Sequence, residues 1–331
     1  MTFAQDTKNK GLRLCYAIIM AATAIISEPA CAQDYPSRPI RMLVGASPGG
    51  TTDIVARLVA HELEKRLNQP VAVENRPGAG GNLALNAVVG AAPDGYTLGM
   101  AYSGLAINPA VMKKMPFDTL NDLAPVSLVA TVDMFLLVNP SLGVDTVQDL
   151  VDAAKTHPEK ITLAANALGS VSHLSAALLK LRTGMESPIA VYKGSAPALI
   201  DLMAGNISAM FDTVPGALNY VKQGRLKVIA SGGAHRLSIA PDVPTLEESG
   251  LEDFRIGSWY GLVAPAGTPA EVTNTLSSVI IDVLSAPQIK QQLMEQMLNP
   301  KGTTPAEFKS FISTEMKQWE KVAKDAHITI R

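Results

Sequence analysis

Short apolar runs and longer amphipathic stretches alternate along this chain, and glycine or proline marks most of the changeovers. Residues 40–45 (IRMLVG) make an apolar run of strand length. Over 51–67 the apolar positions Ile54, Val55, Leu58, Val59, Leu63 and Leu67 recur at helical spacing. A strand at 71–74, a glycine turn at 76–82, a short helix at 83–90 and a strand at 97–102 follow, with Pro93-Asp94-Gly95 as the break before the last. The rhythm changes at 123–139. Two β-rich runs, 125–130 and 134–138, stand there with no insert long enough for a helix. Alternation then resumes: helix 146–156, strand 161–165, helix 170–181, strand 189–192, helix 197–203, strand 209–212, helix 215–223, strand 227–231. After a proline-rich connector at 240–244 come a strand at 259–264 and helices near 269–285, 287–297 and 305–326.

Strands that alternate with helices imply parallel βαβ units and an α/β fold. Two breaks in the rhythm, near 125–138 and 240–262, predict two lobes. Residues 33–130 and 240–331 form a discontinuous first lobe, and 131–239 form the second. Ligands of open α/β sheets sit beyond the carboxyl ends of the strands, so a cleft between hinged lobes is the expected binding place.

Charge and composition narrow the function classes. Over 331 residues, 28 Lys+Arg against 30 Asp+Glu leave a net charge of −2, which argues against a basic nucleic-acid footprint. With 47% hydrophobic and 18% charged residues the chain has the makings of a buried core. The N-terminus reads as an address. Lys8, Lys10 and Arg13 precede an apolar run at 14–26, and Ala30-Cys31-Ala32 fits a small-x-small cleavage site. Residues 1–32 are therefore expected to be a signal peptide, cleaved near Ala32/Gln33, from a soluble exported protein. Glu28 stands where a lipobox needs an aliphatic residue, which weakens a lipid anchor at Cys31. Both cysteines, Cys15 and Cys31, lie in the removed segment, so no disulfide, thiolate or Cys-based metal site is expected. The five histidines show no metal spacing.

Candidate chemistry sits where strands give way to helices. Gly45-Ala46-Ser47-Pro48-Gly49 is a literal G-x-S-x-G, but a nucleophile elbow needs the N–H of the residue after serine, and Pro48 has none. No catalytic residue is expected. Gly49-Gly50-Thr51-Thr52 reads equally as an anion cradle at a helix N-terminus and as a tight turn with a Thr cap. Asp53 reads as a first-turn acid. In 166–173 (NALGSVSH), Ser170 and Ser172 offer hydroxyls, and His173 is either structural or a ligand group. In 192–197 (YKGSAP), Gly194, Ser195 and the N–H of Ala196 suit an anion better than the solvated Lys193. Asp212 ends a strand, either at the cleft mouth or as a helix cap. The glycines at 78–81 lack dinucleotide spacing, and no cofactor is expected.

Taken in order, 35–40 (YPSRPI), 73–81 (VENRPGAGG), 93–97 (PDGYT), 192–199 (YKGSAPAL) and 259–269 (WYGLVAPAGTP) resemble the Bug-type substrate-binding proteins of tripartite tricarboxylate transporters, over nearly all of 35–331. The resemblance implies a two-lobed periplasmic binding protein of the Venus-flytrap, type II-like kind. It implies a small carboxylate ligand: a di- or tricarboxylate, an aromatic acid or similar. Its implied partners are the membrane transporter subunits and, as in some members, a membrane sensor, with the protein itself a monomer. Carried over, the binding residues are Ala46, Ser47, Gly49, Gly50, Thr51 and Thr52 in lobe one, and Ser170, His173, Gly194, Ser195, Ala196 and Asp212 in lobe two. This loop reads with a Phe or Pro before Ala/Gly-Gly in many members; here it is Gly45-Ala46-Ser47-Pro48-Gly49-Gly50, and Ser47 adds a hydroxyl. Tyr102 and Trp259 are the aromatic candidates at strand ends.

Overall fold

The computed structural model describes residues 35–237 and 240–329. The expected signal peptide at 1–32 lies outside them. Ten strands form a mixed sheet in the order β2-β1-β3-β9-β4-β7-β5-β6, with β8 and β10 also paired to β4. The strands are β1 (Ile40–Val44), β2 (Val71–Asn75), β3 (Thr97–Tyr102), β4 (Leu123–Val138), β5 (Leu163–Ala165), β6 (Ile189–Val191), β7 (Ala209–Thr213), β8 (Lys227–Ser231), β9 (Gly257–Pro265) and β10 (Asn299–Pro300). The helices are α1 (Thr51–Leu67), α2 (Asn82–Val89), α3 (Gly104–Val111), α4 (Val147–Thr156), α5 (Val171–Thr183), α6 (Ser195–Ala204), α7 (Val214–Lys222), α8 (Ala270–Ser285), α9 (Pro287–Glu295) and α10 (Pro305–Asp325).

The two β-rich runs at 125–138 are one strand. Twelve of the 16 positions of β4 are buried, a nearly continuous run that requires both faces of the strand to be covered. The first part, to Asp133, runs antiparallel to β9, and from Met134 onward it lies between β7 and β8. β4 thus joins the two halves of the sheet, with β9 along its first part and β7 and β8 along its second. β1, β2 and β3 are parallel, as are β5, β6 and β7. The expectation of parallel units holds within each lobe and fails at β4 and β9, which run antiparallel to their neighbours.

The lobes join where three stretches of backbone meet. Met134 N–H donates to Ile256 O at 3.2 Å, and Gly232 N–H donates to Met134 O at 2.7 Å. A Cβ on Gly232 would run into Ile256, and one on Gly257 would stand 3.0 Å from Val132 O. Only glycine lets the backbones come this close.

Helix α3 was not among the expected elements, and Pro109 lies inside it. Proline lacks the N–H that would reach Leu105 O, and Thr119 Oγ1 donates to that carbonyl instead, at 3.2 Å. The long α10 starts in a capping box, Thr304 with Glu307. It packs Phe308 and Phe311 edge-on to Trp259, with centroids 5.6 and 5.7 Å away. Gly261 on β9 leaves the space that the Phe308 ring fills. No helix among the described residues is long and apolar enough to cross a membrane.

Candidate functional site

The carboxyl ends of β1, β3, β5 and β7 carry most of the residues singled out in the sequence. The loop after β1 begins at Gly45, where a Cβ would lie 2.6 Å from Gly81 Cα, so the loops after β1 and β2 rest directly on each other. Asp53, 3% exposed, organises the turn from below. It accepts Gly49 N–H at 2.9 Å, Arg57 Nε–H at 3.0 Å and Asn75 Nδ2–H at 2.9 Å. Burial by itself would raise its pKa, but these bonds outweigh burial and hold it below the usual carboxylate range. Asn75 also donates to Ala46 O at 3.0 Å. Asp53 is therefore a first-turn acid that ties the loop down, as its position suggested, and Asn75 is its unforeseen partner. Gly50 caps α1 without a side-chain bond, so the first amides of α1 face outward beside the exposed Ser47 and Gly49. Ser47 is exposed and makes no side-chain hydrogen bond among the described residues.

Tyr102 closes β3. Its ring sits between glycines: a Cβ on Gly81 would be 2.9 Å from it and one on Gly104 3.0 Å. Burial pushes its pKa up to about 12. Across the ladder Tyr102 pairs with Tyr260 of β9. Tyr260, 3% exposed, has its hydroxyl at Ser258 and Thr51, and burial, then the Asp212 and Tyr102 charges, raise its pKa. Ser258 and Ser103 join Oγ to Oγ at 2.5 Å. Tyr260 was missed because the sequence pointed to its neighbour. Trp259 is 1% exposed and donates Nε1–H to Glu315 at 3.1 Å, under α10. Successive strand residues face opposite sides, so Trp259 turned to the helix puts Tyr260 toward the cleft. Trp259 is thus not a stacking group for a ligand.

In lobe two, Gly194 N–H donates to Asn166 O at 2.6 Å, which brings the loops after β5 and β6 together. Asn166 Nδ2–H reaches Ser195 Oγ at 3.2 Å, and Ser195 Oγ–H reaches Asp212 Oδ1 at 3.0 Å. Asp212 Oδ1 also accepts its neighbour Thr213 N–H at 2.8 Å. Its Oδ2 is buried and has no partner. Burial raises the Asp212 pKa to about 6, against the pull of Ser195, Thr213 N–H and Asn166. Gly194 has φ +122° and caps α6, with the Ser195 and Ala196 amides following, while Lys193 is exposed.

Ser170 and His173 are placed differently. Ser170 caps α5, accepting His173 N–H at 3.3 Å and donating to Ala167 O at 2.8 Å. His173 Nδ1 accepts Gly169 N–H at 3.2 Å, and burial lowers its pKa. Its ring then lines a recess on the outer side of α5. The site as a whole has two glycine-rich loops with outward amides, two buried hydroxyl residues, Ser103 and Tyr260, and one uncompensated carboxyl. No group of three or more His, Cys, Asp or Glu able to hold a metal occurs among the described residues.

The chain as a whole is similar to known proteins. A family profile described as "Tripartite tricarboxylate transporter family receptor" matches residues 55–328. Protein BugT of Bordetella pertussis is 37% identical over 309 residues, 93% of this chain and 95% of its own length. A solved R. palustris protein with adipate is 34% identical, has a TM-score of 0.85, and is covered over 89% of this chain and 99% of that one. MatC from Rhodopseudomonas palustris, with bound malate, is 30% identical, with a TM-score of 0.78 and coverage of 87% and 99%.

Proposed function

This chain belongs to the tripartite tricarboxylate transporter receptor family, and on that premise we propose that it captures a small dicarboxylate between its lobes and hands it to a membrane transporter. The observation that carries this reading is the pair of anion-ready edges. One is the open amide end of α1 behind Ser47, Gly49 and Gly50, with Ala46, Thr51 and Thr52 around it. The other is the Gly194–Ser195–Ala196 turn, with Ser170 and His173 on the loop beside it. Outward amides at a helix N-terminus favour a carboxylate. Relatives solved with adipate and with malate make dicarboxylates the class to test first. Tyr102 walls the space, and Asp212 sets which ligand groups are accepted.

The family is one of periplasmic solute-binding receptors. In this reading the signal peptide is removed near Ala32/Gln33, and the mature protein is a monomer that releases its ligand unchanged. The lobes comprise 33–130 with 240–331, and 131–239. The change of β4 partners after Asp133 supports the hinge. A ligand held by both lobes stabilises the closed form.

The test is calorimetry on the mature protein with malate, succinate, adipate and citrate, followed by mass analysis of the recovered ligand. Heat of binding with unaltered ligand is the expected result. No binding by any of the four, or a converted ligand, defeats the reading.

A further inference from the structure

A recess of about 410 Å³ lies along α5 on the side away from the Asp212 network. His173, Lys180 and Leu181 line it from one face of α5, Ile189 from the start of β6, and His327 and Ile328 from the chain beyond α10. His173 stands in the first turn of α5, at the carboxyl edge of the sheet, whereas Ile189 opens β6 at the other edge. The recess therefore runs down the outside of the lobe and is not a part of the cleft.

Its chemistry is two-sided. Leu181 is 50% exposed, and Ile189 and Ile328 are half-buried, so the floor is apolar and open. Lys180 is half-buried and forms no salt bridge among the described residues. Because His173 Nδ1 accepts the Gly169 N–H, the proton of the neutral ring is on Nε2, a second donor. Asp325, exposed at the rim, is the one carboxylate among the lining residues.

We propose that this recess is a second binding site, for a small organic anion with an apolar body, of the aromatic or short aliphatic monocarboxylate class. The carboxylate meets the Lys180 ammonium and the His173 Nε2–H, and the body covers Leu181, Ile189 and Ile328. A hydrogen bond between two charged groups is of the stronger kind. The site is also wired to the cleft. The other nitrogen of His173 holds Gly169, whose φ of +70° shapes the loop that opens α5. An anion that shifts His173 shifts that loop, and by reciprocity a cleft ligand alters affinity in the recess.

The test uses the mature chain with ¹⁵N-labelled histidine and benzoate as the probe. Imidazole spectra report five histidines, of which two line the recess. Benzoate should move His173 and His327 along one binding curve and leave His61, His157 and His235 in place. Ala177→Trp fills the recess without touching the Gly169 bond and should abolish the response. Lys180→Met should weaken binding about tenfold, the loss of one charge-assisted bond. Circular dichroism checks that the variants fold, and Lys180→Met, at a partly exposed position, keeps the test alive if Ala177→Trp does not. Three results overturn the proposal: His327 unmoved at tens of millimolar benzoate, His173 moving alone as it would for binding in the cleft, or a response that neither variant alters.

Discussion

Replacing Asp212 by Asn should make the ligand-free protein more stable at neutral pH. Asp212 is 3% exposed, one of its oxygens has no partner, and its pKa stands at about 6 against an ordinary 3.8. The folded state holds the proton more tightly than the unfolded state does. Stability from this group is therefore highest at low pH, falls as the pH rises from about 4 to about 6, and stays at its floor above that. The full penalty at pH 7.5 is about 3 kcal/mol. Asn keeps an acceptor for Ser195 and Thr213 N–H but introduces an unpaired amide, so the expected gain is about 1–3 kcal/mol. For a chain of this size that raises Tm by roughly 2–5 °C. Urea titrations can follow the two tryptophans, both nearly inaccessible to solvent in the fold. The gain should shrink toward zero at pH 4, where Asp212 is protonated. An Asn variant less stable than the parent at pH 7.5, by a margin unchanged at pH 4, would refute the strained-carboxyl reasoning.

Gly232→Ala should destabilise by about 1–3 kcal/mol, because its Cβ meets Ile256 backbone that cannot swing aside; chemical denaturation checks it. Gly194→Val, at φ +122°, should weaken carboxylate binding far more than Lys193→Ala does, and calorimetry showing the reverse would put a side-chain cation in place of the amides. Thr119→Val leaves Leu105 O without its donor and should cost about 1–3 kcal/mol, with local loss of amide protection in α3.

Much of this architecture was legible because each lobe repeats one unit, and apolar periodicity with glycine turns suffices to mark such units. β8 falls where the pattern placed it, and most helix ends differ by one or two residues. Three features were not legible. β4 looked like two strands, since no local pattern says that partners change at residue 134. α3 holds Pro109, whose missing bond is compensated by Thr119, ten positions on. Tyr260 was overlooked because strand alternation fixes only that Trp259 and Tyr260 face opposite ways; which one meets the cleft depends on where α10 packs. The Asp53–Asn75 and Asn166–Ser195–Asp212 bonds join residues from separate loops, which spacing along one chain does not reveal.

The sharing of β4 has a kinetic consequence. Its first half pairs with β9, and Ser103 meets Ser258 across 155 positions of sequence. Contacts this distant are expensive in loop entropy and slow to form. The sheet of the first lobe cannot close until residues 257–265 have been synthesised, and until then β4 has an open edge. The second lobe, whose strand pairings all lie within residues 134–231, can complete its ladder before then; the first lobe cannot. The first lobe therefore keeps an unpaired strand edge through most of the chain's synthesis, until β9 has emerged.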